Sequence, residues 1–410
     1  MAKRFVFFSM NDFVNEGGGT IRMQGILNEL AKSGREVIFI SNAENKDGFH
    51  PSIKHISIAY KFSRNDKRRF QFLLGLFSAG VVRFFYSKFF KRLQAVLEPF
   101  KEENIFFFEY LDNSIGYWLK HHNVIRGYIN DLHGVATLEF KFQAEQAKDL
   151  LKTLKFRTKY YVSNLLDKKV CQHANGLIFA SGEMERYFID EYPEVAYKRN
   201  YILPYYLSTN EGLDIVDEKL KGELETKFEI SEDEKIILFA GAFKKTGGVP
   251  DLIRAFQKVH TKYNSRLFLI GDGPTYEESQ QLVNEFKLED KIVFLGRTKY
   301  HELRTYQDLA NIIVCPDKQN VYSELIIHVK YLDALASGKL VINGSFKSVT
   351  EVNVNESLSI NFTPSNVDSL ADALEKCLGN YEALTEKYMN NRRYTSQNLT
   401  YASGIEVLTS

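Results

Sequence analysis

The chain has 410 residues, of which 44% are hydrophobic and 26% are charged, and its formal net charge is +1. At about 100–200 residues per domain, this length predicts two domains with sizeable cores. The near-neutral charge argues against a protein that binds nucleic acid through its overall charge. With only 8 Pro and 25 Gly residues, collagen-like and disordered classes are excluded.

The three cysteines lie far apart in the chain and form no Cys-x-x-Cys pair. They predict reduced thiols in a reducing compartment rather than a disulfide framework or a zinc site. The first apolar run ends near Ser9, which is too short for the core of a signal peptide. No run reaches the ~18 apolar residues of a membrane-spanning helix. We therefore expect a cytoplasmic protein.

Apolar runs in the first half of the chain alternate with segments of helical spacing, which predicts alternating strands and helices. The predicted strands cover residues 4–9, 36–40, 56–59, 105–109, 124–129, 176–180 and 201–203. The predicted helices cover residues 21–32, 70–97, 114–121, 138–172 and 183–189. Thr20 is expected to cap the first helix, and the second helix is expected to break near Gly75 or Gly80.

The second half repeats this alternation after a charge-rich linker at residues 208–234. Its predicted strands cover residues 235–240, 266–270, 291–295, 312–315 and 340–343. Its predicted helices cover residues 251–260, 277–286, 301–309, 326–336 and 367–378, before a polar helical tail. This order predicts two doubly wound α/β domains with a ligand crevice at the carboxyl ends of their strands. The expected domains are 1–207 and 208–385, with a C-terminal helix at 386–410 that crosses back to the first.

Two glycine-rich segments join a predicted strand to a predicted helix. The first is Gly17-Gly18-Gly19, and the second runs from Gly241 to Gly248 and includes Lys244 and Lys245. Glycines let backbone N–H groups approach an anion, the helix N-terminus favours negative charge, and two lysines could hold a diphosphate. Solvated loops would explain the same residues. Neither the dinucleotide fingerprint nor a P-loop motif is present.

The stretch from Tyr322 to Val341 holds the most specific combination of charged residues. Glu324 is expected near a helix N-terminus at the carboxyl edge of the sheet. Lys330 and Asp333 are three residues apart, so they share one face of a helix. A carboxylate there could accept hydrogen bonds from a ribose, and a lysine could bind a phosphate. A salt bridge on a helix surface would explain the same spacing.

Residues 61–100 combine nine Lys and Arg residues with ten aromatics and only two acidic residues. Phe85, Phe89 and Leu93 fall on one helical face, away from the neighbouring bases. This pattern is typical of a helix attracted to an anionic membrane surface. The bases expected to contact a membrane or an acceptor are Arg83, Lys88, Lys91 and Arg92. Packing of the aromatics in the core beside a solvated basic face, or binding of an anionic glycan, would also fit.

Seven short motifs in order resemble the retaining glycosyltransferases of family 4, which have the GT-B fold. They are the strand, glycine loop and helix within residues 5–40, Asp131-Leu132-His133-Gly134, residues 176–183, Ile202-Leu203-Pro204, residues 237–241, Gly271-Asp272-Gly273-Pro274 and Ala336-Ser337-Gly338-Lys339. The resemblance covers nearly the whole chain. It implies two Rossmann-like doubly wound domains that face each other across a cleft.

The resemblance also implies roles for individual residues. A nucleotide-sugar donor would bind mostly to the second domain and an acceptor mostly to the first. His133 and Glu324 would lie at the reacting sugar as catalytic residues. The residues implied to bind the donor are Gly18, Gly19, Lys244, Lys245, Gly273, Lys330 and Asp333.

This chain departs from the family pattern at four places. Asp333 replaces the usual glutamate, and eight rather than seven residues separate it from Glu324. Ala242 and Gly247 occupy the positions of the usual basic pair, and Leu340 replaces the proline after Lys339. These changes leave a weakened or inactive enzyme open as an alternative.

The resemblance predicts a retaining transferase that moves a sugar from a nucleoside diphosphate to a lipid-linked or membrane-proximal glycan, at the inner face of the cytoplasmic membrane. The departing phosphate oxygen could serve as the base. No Asp-x-Asp motif ends a strand and no metal-ligand spacing occurs, so we expect neither a catalytic metal nor a cofactor. The alternatives are a nucleotide-sugar epimerase on the same fold and a non-catalytic scaffold at the membrane.

Overall fold

The computed structural model describes residues 4–11, 18–42, 48–147, 149–207, 215–299 and 302–409. The chain divides into two compact units. The first comprises Met1–Ser208 together with Tyr401–Ser410, and the second comprises Thr209–Thr400. Each unit is built on its own parallel sheet.

The first unit is built on seven parallel strands. They are β1 (Arg4–Ser9), β2 (Glu36–Ser41), β3 (Lys54–Ser57), β4 (Asn104–Phe107), β5 (Gly127–Leu132), β6 (Gly176–Phe179) and β7 (Arg199–Ile202). Their order in the sheet is β3-β2-β1-β4-β5-β6-β7, and every pairing is parallel. The order reverses between β1 and β4, which is where doubly wound sheets bind ligands.

Helices connect these strands and cover the sheet. They are α1 (Gly18–Lys32), α2 (Arg64–Leu76), α3 (Ala79–Phe85), α4 (Ser87–Leu97), α5 (Glu109–His121), α6 (Ala136–Glu145), α7 (Leu150–His173) and α8 (Gly182–Glu191). The core under α1 contains Phe5 and Phe7 from β1 and Leu27 from the helix, all buried. Strands buried on both faces explain why the sequence shows continuous apolar runs rather than alternation.

The second unit has six parallel strands and nine helices in the part of the chain that is described. The strands are β8 (Lys235–Ala240), β9 (Ser265–Ile270), β10 (Ile292–Gly296), β11 (Ile312–Cys315), β12 (Leu340–Gly344) and β13 (Ile360–Phe362), in the order β10-β9-β8-β11-β12-β13. The helices are α9 (Glu218–Lys227), α10 (Val249–Val259), α11 (Tyr276–Glu285), α12 (Leu303–Leu309), α13 (Val329–Ser337), α14 (Lys347–Thr350), α15 (Val367–Gly379), α16 (Tyr381–Tyr388) and α17 (Asn391–Asn398). β13 was not predicted.

The return of the chain to the first unit begins later than the expected residue 386. Helices α16 and α17 stay with the second unit, where α17 packs on α13. Only residues 401–410 group with the first unit, as helix α18 (Tyr401–Gly404) and a final 3₁₀ turn. Tyr401 lies against α1 so closely that a Cβ at Gly25 would be 2.2 Å from its ring.

The structure corrects one predicted helix boundary and bears out another. Helix α1 begins at Gly18, so Thr20 lies inside its first turn and is not its cap. The predicted helix at 70–97 breaks at Phe77 and Ser78, near Gly75 and Gly80 as expected, and breaks again at Tyr86. A Cβ at Gly75 would lie 2.7 Å from the side chain of Val162, so this glycine permits close packing of α2 on α7. Within the described ranges, no helix has the length and apolar character needed to cross a membrane.

Candidate functional site

In the first unit, a buried ion pair lies at the carboxyl edge of the sheet. Asp131 is near the end of β5, and Arg22 projects from the first turns of α1. Their contact is bidentate, with Arg22 Nε 2.8 Å from Asp131 Oδ2 and Nη2 2.6 Å from Oδ1. The two side chains are 0% and 1% exposed. Such a pair must be fully hydrogen-bonded, because burying two charges is costly.

His133, the predicted catalytic residue, directly extends this ion pair. Its Nδ1 lies 3.0 Å from Asp131 Oδ2, and its side chain is 16% exposed. The hydroxyl of Tyr205 donates to the backbone carbonyl of His133 at 3.2 Å. Arg22 Nη1 donates to the carbonyl of Pro204 at 2.9 Å. The ring of His133 is therefore held through Nδ1, and its backbone is held through the carbonyl oxygen.

The charges of this pair stabilise each other. Burial alone would raise the pKa of Asp131, but the charge and hydrogen bonds of Arg22, with a hydrogen bond from His133, lower it to about 2. Burial alone would lower the pKa of Arg22, but Asp131 raises it above its ordinary value. Asp131 is thus a carboxylate at neutral pH and can only accept hydrogen bonds.

Sequence reasoning did not identify Arg22. The signal was present, because Arg22, Ile26 and Leu30 follow the i, i+4, i+8 spacing of one helical face, and all three are buried. A lone arginine on an apolar face indicates a buried partner. Gly18 and Gly19 form the first turn of the same helix, so their N–H groups have no carbonyl partner within that helix. Gly17 lies outside the described residues.

In the second unit, the segment from Gly241 to Gly248 joins β8 to α10 and depends on glycine geometry. Gly248 has φ +68°, and a Cβ there would lie 1.7 Å from the carbonyl oxygen of Pro316. Gly271 has φ +130°, and a Cβ there would lie 1.8 Å from the carbonyl oxygen of Gly241. Lys244 and Lys245 are exposed on this loop. The loop therefore presents two cations beside the N-terminus of α10.

Gly273, which was predicted to contact the donor, packs against the backbone of the same loop. Its φ is +150°, and a Cβ would lie 2.9 Å from the carbonyl oxygen of Phe243. The amide of Phe243 donates to the carbonyl of Asp272 at 3.0 Å, and that of Thr275 donates to Phe243 at 3.0 Å. In this structure Gly273 therefore positions the loop.

Lys330 and Asp333 lie on α13, next to the end of β11. Lys330 Nζ forms an ion pair with the buried carboxylate of Asp317 at 2.7 Å and lies 5.6 Å from the centre of the Phe239 ring. Burial raises the pKa of Cys315 to about 12, and the nearby carboxylates of Asp317 and Asp333 act in the same direction. The structure thus brings Lys330 and Asp333 together at this edge and adds Asp317, which sequence reasoning missed.

Glu324 is engaged with backbone rather than free. Its Oε2 accepts from the amide of Lys347, the first residue of α14, at 2.7 Å, and its Oε1 accepts from the Gln319 side chain. His328, at the N-cap of α13, was not predicted. Burial chiefly lowers the pKa of His328, the charge of Asp317 opposes this, and the charges of Lys330 and Lys244 act in the same direction as burial.

The basic aromatic segment does not form the predicted lipid-facing stripe. Phe89 and Leu93 are 0% exposed and belong to the core. Arg92 donates to the carbonyls of Ile58 at 2.6 Å and Ser57 at 3.3 Å, so it holds backbone. The guanidinium of Arg83 lies over the ring of Phe90 at 4.4 Å. Of the four predicted bases, Lys88 and Lys91 are the exposed pair without such a contact.

A different set of apolar side chains is exposed on the same helices. This set, the α2–α3 patch, consists of Phe72, Leu76, Phe77, Val81, Phe84 and Phe85. Phe84 is 81% exposed and Phe85 is 56% exposed. Leu150, Leu151 and Leu154, at the start of α7, are exposed as well. Exposed large apolar side chains that form a contiguous patch are typical of interaction surfaces, and the rings of Phe84 and Phe85 contact each other here.

Two doubly wound units with polar groups at the carboxyl edges of their sheets define the GT-B architecture. The same fold is found in the Anabaena protein HepE, solved in complex with UDP. That structure is 12% identical in sequence, covers 99% of this chain and 98% of its own, and superposes with a TM-score of 0.69.

Residues 221–396 match the model of the family described as glycosyl transferases group 1. One curated relative is N-acetyl-alpha-D-glucosaminyl L-malate synthase of Bacillus anthracis, 32% identical over 131 residues, or 32% of each chain. Another is alpha-monoglucosyldiacylglycerol synthase of Acholeplasma laidlawii, 28% identical over 120 residues, or 29% of each chain. The matches span only about a third of these relatives.

Proposed function

We propose that this protein is a retaining glycosyltransferase that transfers a sugar from a nucleoside diphosphate to a lipid-linked or membrane-proximal glycan. The observation that carries the proposal is the cluster in the second unit, inside the region that matches the family. There a loop fixed by glycines presents Lys244 and Lys245 beside the N-terminus of α10, and Lys330 lies at the start of this loop, where a Cβ at Gly241 would be 3.8 Å from its Cδ. Helix N-termini and lysines are suited to a diphosphate.

The roles follow from the chemistry of each group. Lys244, Lys245 and Lys330 would bind the diphosphate, and Asp333 would accept hydrogen bonds from the ribose hydroxyls. Glu324 and His133 would contact the reacting sugar. The presence of UDP in the HepE structure makes a uridine nucleotide the first donor to test.

In the retaining reaction, the bond between the anomeric carbon and the β-phosphate oxygen breaks while a bond to the acceptor oxygen forms on the same face. The acceptor's proton passes to the departing phosphate oxygen, so no enzymic nucleophile is needed. The lysines stabilise the negative charge that develops on the diphosphate. We propose no cofactor and no metal for this chemistry.

Calorimetry with UDP, GDP, ADP and CMP tests the donor site. One diphosphate should bind, and Asp333→Ala should weaken that binding by ~1.5–3 kcal/mol, the size of a hydrogen bond to a charged group. Asp372→Ala is the matched control, because Asp372 is exposed on α15. Equal affinity in Asp333→Ala and the wild type would remove Asp333 from the site.

A product assay separates the transferase from its two alternatives. Incubation with a nucleotide sugar and a lipid-linked acceptor should give a glycoside whose anomeric configuration matches the donor. A free epimerised sugar would instead identify the epimerase. Nucleotide binding without any product from a range of acceptors would favour the non-catalytic scaffold.

We also propose that the α2–α3 patch places the first unit on an anionic membrane, with Lys88 and Lys91 nearby in sequence to attract it. Phe84→Ser/Phe85→Ser should abolish flotation with vesicles that contain phosphatidylglycerol and leave nucleotide binding unchanged. Tyr197→Ser is the matched control, since Tyr197 is a 91% exposed aromatic outside the patch. If the wild-type protein does not float with these vesicles, the proposed membrane contact is wrong.

A further inference from the structure

We infer that Arg22 and Asp131 are positioning residues for the imidazole of His133. Asp131 holds the ring with its Nδ1 proton directed inward, and Arg22 fixes Asp131, so that Nε2 is the atom offered to a ligand. The inference rests on the proposed function, since that function assigns His133 to the reacting sugar.

The geometry at Asp131 sets the tautomer of His133. Oδ2 accepts from both Arg22 Nε at 2.8 Å and His133 Nδ1 at 3.0 Å, while Oδ1 accepts from Arg22 Nη2 at 2.6 Å. A buried carboxylate cannot donate, so the hydrogen on this contact must belong to Nδ1. The partner of one ring nitrogen thereby decides what the other can do.

Arg22 is itself fixed by groups outside the pair. Its third nitrogen donates to the Pro204 carbonyl, and its guanidinium lies 5.2 Å from the centre of the Tyr205 ring. Tyr205 in turn donates to the His133 carbonyl. Both ends of His133, ring and backbone, are thus connected to one rigid assembly that joins α1, β5 and the segment after β7.

Folding stability alone does not explain such a pair, because two well-packed apolar residues often stabilise a fold as much as a buried ion pair does. The second unit contains another, largely buried ion pair that can be compared with this one. Arg266 and Glu234 also form a bidentate pair, with Arg266 Nη1 donating to the Phe228 carbonyl at 2.7 Å. Arg266 lies near the start of β9 and Glu234 just before β8, at the opposite edge of their sheet from the strand ends considered above.

The test replaces both residues of each ion pair together, so that neither partner is left as an unpaired buried charge. The first variant is Arg22→Met/Asp131→Leu, and its matched control is Arg266→Met/Glu234→Leu. Nitrogen-15 NMR of histidine-labelled protein, with the His133 signals assigned by His133→Gln, reports which ring nitrogen carries the proton in the neutral form. Transferase kinetics give kcat and the donor KM separately.

In the wild type and the control, the neutral ring of His133 should be protonated at Nδ1. In Arg22→Met/Asp131→Leu it should revert towards the Nε2-protonated form that a histidine side chain prefers in water. The kcat of that variant should fall by about 100-fold, the effect of a misplaced reacting group, with little change in donor KM. Arg22→Lys keeps the charge and one hydrogen bond, so it should retain more activity than the double variant.

A wild-type His133 protonated at Nε2, or identical His133 spectra in the wild type and the double variant, would overturn the inference. Equal losses of kcat in the test and control variants would do the same. The NMR arm does not depend on turnover. A wild type with the predicted spectrum and no transferase activity would refute the proposed function and leave the positioning of His133 intact. Asp131→Asn, which keeps the size of the side chain, serves if the double variant fails to fold.

Discussion

The carboxyl edges of the two sheets carry charge in opposite ways. In the first unit, Arg22 and Asp131 neutralise each other out of contact with water. In the second unit, Lys244 and Lys245 are exposed on a loop shaped by glycines. The same topology therefore supports one edge that holds a side chain in place and another that presents charge to solvent. The difference lies in the residues at the strand ends and not in the strands.

The largest effect expected from this comparison is that of a single substitution in the buried pair. Arg22→Met leaves the Asp131 carboxylate buried without its partner, which typically costs about 3–5 kcal/mol. Urea denaturation of Arg22→Met and of Arg22→Met/Asp131→Leu measures it. The single variant should be the less stable of the two, and the reverse order would show that Asp131 reaches water.

The stability of the loop from Gly241 to Gly248 should depend on the absence of a side chain at Gly248 rather than on charge. Gly248→Ala would place a Cβ 1.7 Å from the Pro316 carbonyl oxygen at φ +68°, so we expect a loss of about 3 kcal/mol or more. Gly34→Ala in the first unit is the control. Gly34 has φ +76° but open space around it, and its loss should be about 1 kcal/mol. Equal melting temperatures for the two variants would contradict the close approach.

The buried pair should also give the first unit a sensitivity to acid. The pKa of Asp131 is about 2 in the folded chain and about 3.9 in an unfolded one. Its lowered pKa contributes stability above about pH 5, and this contribution, about 2–3 kcal/mol, is lost as the pH falls through 4 towards 2. Unfolding free energies at pH 6 and pH 3 should differ less in Arg22→Met/Asp131→Leu than in the wild type.

The exposed lysines should give the smallest effect. Lys244→Gln/Lys245→Gln should weaken binding of a nucleoside diphosphate by about 1 kcal/mol, or roughly fivefold in Kd, and leave stability unchanged because neither side chain is buried. Lys219→Gln/Lys227→Gln, on the exposed face of α9, should change neither quantity. A loss of affinity in this control as large as in the test variant would indicate attraction by overall charge instead of a site.

The sequence predicted most strands of both sheets, because strands buried on both faces leave short apolar runs that are easily recognised. β5 was placed three residues early, since Val124 and Ile125 are buried but precede the strand. The prediction of a lipid-facing stripe in residues 61–100 was wrong for a related reason. Aromatics that fill a core and aromatics that lie on a surface give the same helical spacing, and only packing distinguishes Phe89 from Phe84.

The candidate site could be proposed from the sequence where its residues are neighbours in the chain. Lys330 and Asp333 share a helix face, and the loop lysines lie among glycines. The ion pair between Arg22 and Asp131 spans 109 residues, so no local pattern joins its two halves. The buried position of Arg22 was visible in the spacing of α1, but the identity of its partner needed the fold.

The attachment of residues 401–408 to the first unit has a consequence for how the protein is made. Ile405 and Leu408 share the buried core of Phe5 and Leu27, and Tyr401 covers Gly25. A ribosome synthesises α1 and β1 almost 400 residues before it reaches these side chains. During that interval the second unit can fold from a continuous stretch of chain, while the first keeps an open apolar groove beside α1. The unit that is translated first is thus the one that is completed last.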